Sequence, residues 1–159
     1  MVIRITKHEG KPPTLSCVRG DGSTTWQSYG NQRDFFPIHD LTHYAVETEL
    51  GYRHGFYGMI AAGRGVNDFG SGDAASFHPE AIYAECLAGL LTTTFGVGSN
   101  LTYEEIKKTL DGQTEEARIP PIELSPEQFT AIRAKTATLV QRWREMPLDA
   151  FIELEWPLT

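Results

Sequence analysis

The chain has 159 residues, of which 40% are hydrophobic and 22% charged, and its formal net charge is −7. This length and composition predict a single globular domain over residues 1–159 rather than a disordered segment. The acidic balance argues against non-specific binding to nucleic acid or to an anionic membrane surface, because both require clustered lysine and arginine. No apolar stretch approaches the about 20 residues that span a bilayer, so we expect a cytoplasmic protein without a membrane partner.

The first 29 residues predict three strands that pair as an antiparallel meander. Apolar and polar residues alternate over 2–6, 14–19 and 24–29, as they do in strands that bury one face. Asp21 and Gly22 form an Asp-Gly pair between the second and third segments, which favours a tight hairpin turn. A sheet this small requires another element packed on one of its faces.

Most of the remaining chain predicts helices. Helical spacing of apolar residues and capping signals indicate helices near 37–50, 54–63, 78–94, 102–110 and 125–145. Residues 66–76 and 113–123 favour loops, whereas 150–156 alternate again and predict a C-terminal strand that joins the N-terminal sheet. The expected fold class is α+β, with a small antiparallel sheet (three N-terminal strands plus a C-terminal strand) packed against four to five helices.

The segment 35–47 carries the pattern H-D-x-x-H at the start of a predicted helix. His39 and His43 are four residues apart, so their side chains leave the same face of the helix about one turn apart. Two imidazoles in this arrangement can bind one metal ion. Asp40 directly follows the first histidine, and it is therefore the candidate catalytic residue, which would orient a ligand or act as a base.

The pattern resembles the H-E-x-x-H helix of the zinc peptidases over five residues, with Asp40 where that family has glutamate. The resemblance implies that Asp40 activates a metal-bound water, although its side chain is one methylene shorter. The segment is also similar to the H-D-x-x-H motif of a ubiquinone-biosynthesis protein family. That family has a glutamate twelve residues after the second histidine, where this chain has Gly55. The HD-type phosphohydrolases also carry a His-Asp pair, together with a further upstream histidine and a distant aspartate.

A metal site requires at least a third ligand. Glu47 lies two helical turns, about 12 Å, from His39, so we expect it to accept a hydrogen bond from His43 rather than to bind the ion. His54 follows the glycine that ends the helix and is able to fold back toward the pair. Glu85 is the preferred third ligand, because its helical neighbours are small and apolar and a buried carboxylate requires a cation or a hydrogen-bond partner.

Two functions are compatible with these residues. In the first, His39, His43 and either Glu85 or His54 bind zinc or another divalent transition metal. The protein is then a small metal-dependent hydrolase that acts on a small molecule or a peptide. In the second, it is a non-enzymatic interaction or scaffold protein in which the histidines and Asp40 form a structural polar cluster. Acid/base chemistry by the two histidines without a metal is a further alternative.

Overall fold

A computed structural model of the protein describes residues 1–71, 77–97 and 101–157. Its strands are β1 (Val2–Thr6), β2 (Thr14–Val18), β3 (Thr24–Ser28) and β4 (Phe151–Glu155). Its helices are α1 (Phe36–Leu50), α2 (Phe56–Ala61), α3 (Pro79–Val97), α4 (Tyr103–Glu116) and α5 (Pro126–Glu145), and a 3-10 helix covers Val66–Ser71. The predicted α+β fold class is confirmed.

The four strands form one antiparallel sheet in the order β3-β2-β1-β4. The predicted meander is confirmed, and β4 pairs with β1 at the edge opposite β3, with Ile3 aligned between Cys17 and Leu154. Because side chains alternate along a strand, one face of the sheet is buried, and it carries Ile3, Ile5, Leu15, Cys17, Ile152 and Leu154. On the opposite face, Arg4 and Glu153 form an exposed ion pair across the β1–β4 ladder.

Helix α1 lies between two apolar cores formed by the described residues. Its residues Leu41 and Ala45 pack in the core that contains the sheet residues. Val46 packs in a second core, which includes residues of α3, α4 and α5. A proline in the first turn and Gly51, with φ of 67°, define the ends of α1 near the predicted boundaries. The helix is therefore fixed on several sides, and this rigidity positions its histidines.

Helix α4 is longer than the sequence predicted. It continues to Glu116, so the predicted end near Leu110 is wrong, and so is the first part of the predicted loop over 113–123. Leu110 and Thr114 are both buried, and they lie on one face because they are four residues apart. Their burial outweighs the cost of Gly112 in the helix, which is about 1 kcal/mol relative to alanine.

Two other segments differ more modestly from the prediction. Helix α2 occupies only part of the predicted range 54–63, and α3 continues past the predicted end near residue 94 to Val97. Part of the predicted loop over 66–76 forms the 3-10 helix, and residues 72–76 lie outside the described residues. Among the described helices, none combines the length and apolarity needed to cross a bilayer.

Candidate metal centre

Helices α1 and α3 bring three of the predicted ligands together. The Nε2 atom of His39 lies 3.4 Å from Oε1 of Glu85, and Nε2 of His43 lies 3.0 Å from Oε2 of the same carboxylate. One possible ligand atom from each residue lies within 4.8 Å of the others. Two ligand atoms of a tetrahedral zinc ion, each bound at 2.0–2.2 Å, are about 3.3 Å apart. The His39–His43–Glu85 group, hereafter the metal triad, therefore has spacings that suit a bound ion.

The metal triad lies at the protein surface, with its histidines inside and its carboxylate outside. His39 and His43 are only 8% and 3% exposed. The Glu85 side chain is 66% exposed, so the prediction that it is buried is wrong. Helix α3 buries its neighbours Ala84 and Ala88 against the core, and Glu85 is left at the rim, from where it reaches the histidines of α1. An ion held here would have protein on one side and solvent access on the other.

Glu47 fixes the orientation of the His43 ring from the buried side. The His43 Nδ1–H donates to Oε1 of Glu47 at 3.1 Å, so the predicted hydrogen bond is confirmed. Glu47 is fully buried, and the backbone N–H groups of Phe56 and Tyr57 also donate to its two oxygens at 2.9 and 3.1 Å. A carboxylate on Nδ1 holds the proton there, which directs Nε2 of His43 toward Glu85 and increases its basicity as a metal ligand.

His39 is oriented by an aromatic ring and a hydroxyl group. The Phe35 ring stacks on its imidazole at a centroid distance of 5.5 Å and an interplanar angle of 18°. Its Nδ1 lies 3.4 Å from the buried hydroxyl of Thr92 on α3. With Nδ1 of both histidines engaged on the protein side, the two Nε2 atoms are the ones left to face Glu85.

The charges in this group are strongly coupled. Burial by itself lowers the pKa of His43, but hydrogen bonds to Glu47 and Glu85 outweigh burial and raise it to about 10. Hydrogen bonds from His39 and His43 hold the pKa of the Glu85 carboxyl well below its usual range. Without a metal, His43 is therefore an imidazolium between two carboxylates at neutral pH. A divalent cation would take the place of the proton on Nε2.

Asp40, the predicted catalytic residue, is not one of the three grouped ligands, and its hydrogen-bond partner lies in the interior. It is 5% exposed and accepts a hydrogen bond of 2.6 Å from the Tyr29 hydroxyl. Burial raises the pKa of Asp40 to about 6, although the Tyr29 hydrogen bond and the charges of His43 and His39 oppose this increase. A role for Asp40 as a base stays a prediction. Its observed position makes it a buried negative charge behind the histidines.

His54, the other predicted ligand, belongs to a second group of residues. Its Nδ1 lies 3.3 Å from Oε2 of Glu80, and its ring stacks on His78 at 4.2 Å between centroids. Oε2 of Glu80 also accepts the backbone N–H groups of Arg53 and His54. This group could also hold an ion by its spacing. However, both histidines are exposed, and the stacked rings are held by the turn before α2 and the start of α3 rather than by a buried carboxylate.

An open cleft of about 470 Å³ adjoins the metal triad, and both His39 and Glu85 contribute to its wall. The sequence predicts neither the cleft nor the contacts that orient the ligands, namely Thr92 to His39, Tyr29 to Asp40, and the α2 amides to Glu47. These contacts join residues 9 to 53 positions apart, and no local pattern of residues marks them.

No protein-family model, curated protein or solved structure matches the chain. Its function must therefore be inferred from the side chains that the fold brings together.

Proposed function

We propose that the protein binds one divalent transition-metal ion, with zinc the best fit, through the Nε2 atoms of His39 and His43 and the carboxylate of Glu85. The supporting observation is that both Nε2 atoms lie 3.0–3.4 Å from the two oxygens of one carboxylate. The Glu47 contact to Nδ1 of His43 adds the carboxylate that commonly supports a metal-bound histidine. Imidazole nitrogen and carboxylate oxygen are both ordinary zinc ligands.

The chemistry that suits such a site is hydrolysis. Two histidines and one glutamate leave at least one position of a tetrahedral ion open, which is the arrangement of catalytic rather than structural zinc sites. A bound ion would polarise a substrate carbonyl and lower the pKa of a coordinated water. The two histidines and Glu85 would hold the ion, and the buried histidines would exclude solvent from it on the protein side. In this scheme Asp40 compensates part of the positive charge from the buried side.

A second candidate function is that of a non-enzymatic scaffold in which these residues only stabilise the core. The observation that favours it is that both ring nitrogens of His43 have a carboxylate partner from the protein itself, Glu47 and Glu85. Paired buried charges of this kind occur as structural clusters as well as in functional sites. The two functions differ in whether a metal is bound.

The test is the metal content of the purified protein, never exposed to chelator, measured by elemental analysis. We expect about one zinc per chain in the wild-type protein and near zero in Glu85→Gln and His39→Ala. Because the Glu85 side chain is largely exposed, Glu85→Gln should retain the folded structure while it loses the ion. Glu80→Gln, which alters the same residue type on the same helix, is the matched control and should retain the zinc.

The proposal is wrong if the wild-type protein contains far less than one transition metal per chain and binds none on titration. It is also wrong if Glu80→Gln removes the ion and Glu85→Gln does not, because the metal would then lie in the group that contains His54. For hydrolysis, the zinc-loaded protein should cleave activated esters such as p-nitrophenyl acetate faster than the Glu85→Gln variant and the chelator-treated protein do.

A further inference from the structure

The cleft beside the metal triad is suited in size to a small molecule. Its volume of about 470 Å³ falls in the range of about 300–1,000 Å³ that is typical of small-molecule sites. His39 and Glu85 belong both to the cleft wall and to the metal triad, whereas His43 is on the buried side. The exchangeable position of an ion in the metal triad would therefore face the cleft, and a ligand in the cleft would reach the metal.

Most of the cleft wall is apolar. The rings of Phe35 and Phe36 are 42% and 36% exposed, and together with Leu90 they line the cleft. Gly89 contributes open space, because nothing lies within 4 Å of a Cβ placed there. Exposed aromatic rings beside an open volume provide favourable contact area for an aromatic or aliphatic group.

The polar lining restricts the ligand further. Of the described residues that line the cleft, Glu85 is the only carboxylate, and none is lysine or arginine. A phosphate or a dicarboxylate would thus lack any basic side chain to pair with here. Gln113 also lines the cleft, and its buried Oε1 has no hydrogen-bond partner within the described part of the chain. An unpartnered buried acceptor is costly, and a rotation of the Gln113 amide toward the cleft would let an N–H group of a ligand satisfy it.

From these features we infer that the cleft binds a small, largely apolar acyl compound with an N–H group, such as an amide. Its carbonyl-type oxygen contacts the metal, its apolar part packs on Phe35 and Phe36, and its N–H donates to Gln113. This inference rests on the metal site proposed above and specifies the class of ligand for that site.

Two hydroxamic acids provide the probe, because they share a metal-binding head with an N–H group and differ in the apolar part. Binding of benzohydroxamic acid and acetohydroxamic acid to the zinc-loaded protein is measured by calorimetry after the zinc content has been verified. We expect the phenyl compound to bind about tenfold more tightly, since burying a ring contributes more than burying a methyl group.

The variant Gly89→Leu fills the cleft and should weaken the binding of benzohydroxamic acid by about tenfold or more. Its zinc content and its affinity for acetohydroxamic acid should change little. Gly112→Leu is the matched control. It places the same side chain at another helical glycine with open space around it, outside the cleft lining, and it should bind both probes as the wild type does. Gln113→Leu should weaken the binding of both hydroxamic acids severalfold.

The inference is overturned if zinc-loaded wild-type protein binds the two hydroxamic acids equally, or if Gly89→Leu leaves benzohydroxamic acid unaffected. Either result leaves the metal site intact, because the zinc content is measured separately. If the wild-type protein binds no zinc at all, the proposed function fails and this inference fails with it. If Gly89→Leu does not fold, the comparison of the two probes on the wild-type protein still tests the inference.

Discussion

Gly55 lies directly against the buried carboxylate of Glu47, and a Cβ at position 55 would overlap that carboxylate. The backbone angles of Gly55, φ −74° and ψ −172°, are accessible to any residue, so glycine is required here for space and not for conformation. Glu47 cannot move aside easily, because His43 and the amides of Phe56 and Tyr57 hold it. The missing side chain at position 55 is therefore part of the support for the metal triad.

The first prediction concerns this contact. Gly55→Ala should destabilise the protein by about 1–3 kcal/mol, as overpacking of a buried site does, and should weaken zinc binding because Glu47 is displaced from His43. Urea unfolding and a chelator competition assay measure the two effects. Gly112→Ala, at an uncrowded helical glycine, is the control and should be neutral or slightly stabilising. Wild-type stability and wild-type zinc affinity in Gly55→Ala would contradict the arrangement described here.

The second prediction concerns the charge of Glu47. Glu47→Gln keeps the size of the side chain, but it places an NH2 group against one of the backbone amides and weakens the acceptor for His43. Loss of such a supporting contact typically lowers metal affinity by about 10–100-fold, and an unpaired buried donor costs about 1–3 kcal/mol. The zinc dissociation constant should therefore increase, and the free energy of unfolding should decrease. An unchanged zinc affinity in a folded Glu47→Gln variant would show that Glu47 does not support zinc binding.

The third prediction is a pH dependence that arises from His43. In the metal-free protein its pKa is raised from 6.5 to about 10. The stability that protonated His43 contributes is therefore fully present below about pH 6.5 and is lost as the pH rises through about 10. With chelator present, the free energy of unfolding of the wild type should exceed that of His43→Gln by more at pH 6 than at pH 10. If the difference in unfolding free energy between the two proteins stays constant or increases with pH, His43 is not held as an imidazolium.

The fourth prediction is that zinc binding releases the proton that His43 carries in the metal-free protein. Because zinc displaces a proton from His43 below its pKa, the apparent affinity should rise by up to about tenfold per pH unit between pH 7 and pH 9. Calorimetric titration in two buffers with different ionisation enthalpies measures the protons released, and we expect about one at pH 8. The His43→Gln variant should release correspondingly fewer protons for any zinc that it still binds.

The fifth prediction concerns Asp40. Burial raises its folded-state pKa from 3.8 to about 6. The folded protein therefore binds this proton more tightly than the unfolded chain does, and the ionised carboxylate destabilises the fold above about pH 6. Asp40→Asn removes the charge and keeps an acceptor for Tyr29. In chelator it should be more stable than the wild type by about 2–3 kcal/mol at pH 8, and this advantage should vanish by about pH 4. A less stable variant at pH 8 would show that the carboxylate charge is favourable in this position.

Local patterns in the sequence were sufficient for most of the fold. Alternation of apolar and polar residues identified the three N-terminal strands and β4, and the capping residues Thr102 and Ser125 mark helix starts in the structure as predicted. These features depend on neighbouring residues and on the two repeat periods of strands and helices. The end of α4 was mispredicted, because the burial of Thr114 is set by distant parts of the chain and outweighs the local effect of Gly112.

For the site, the sequence by itself determined that His39, His43 and Glu47 share one face of α1, because a helix repeats about every 3.6 residues. Only the tertiary structure decided what that face meets. It brought Glu85 to the two Nε2 atoms as an exposed rather than a buried carboxylate, turned Asp40 to Tyr29, and placed His54 beside Glu80. These outcomes depend on how α1, α2 and α3 pack together, and packing is determined by the combined burial of residues throughout the chain rather than by spacing within one segment.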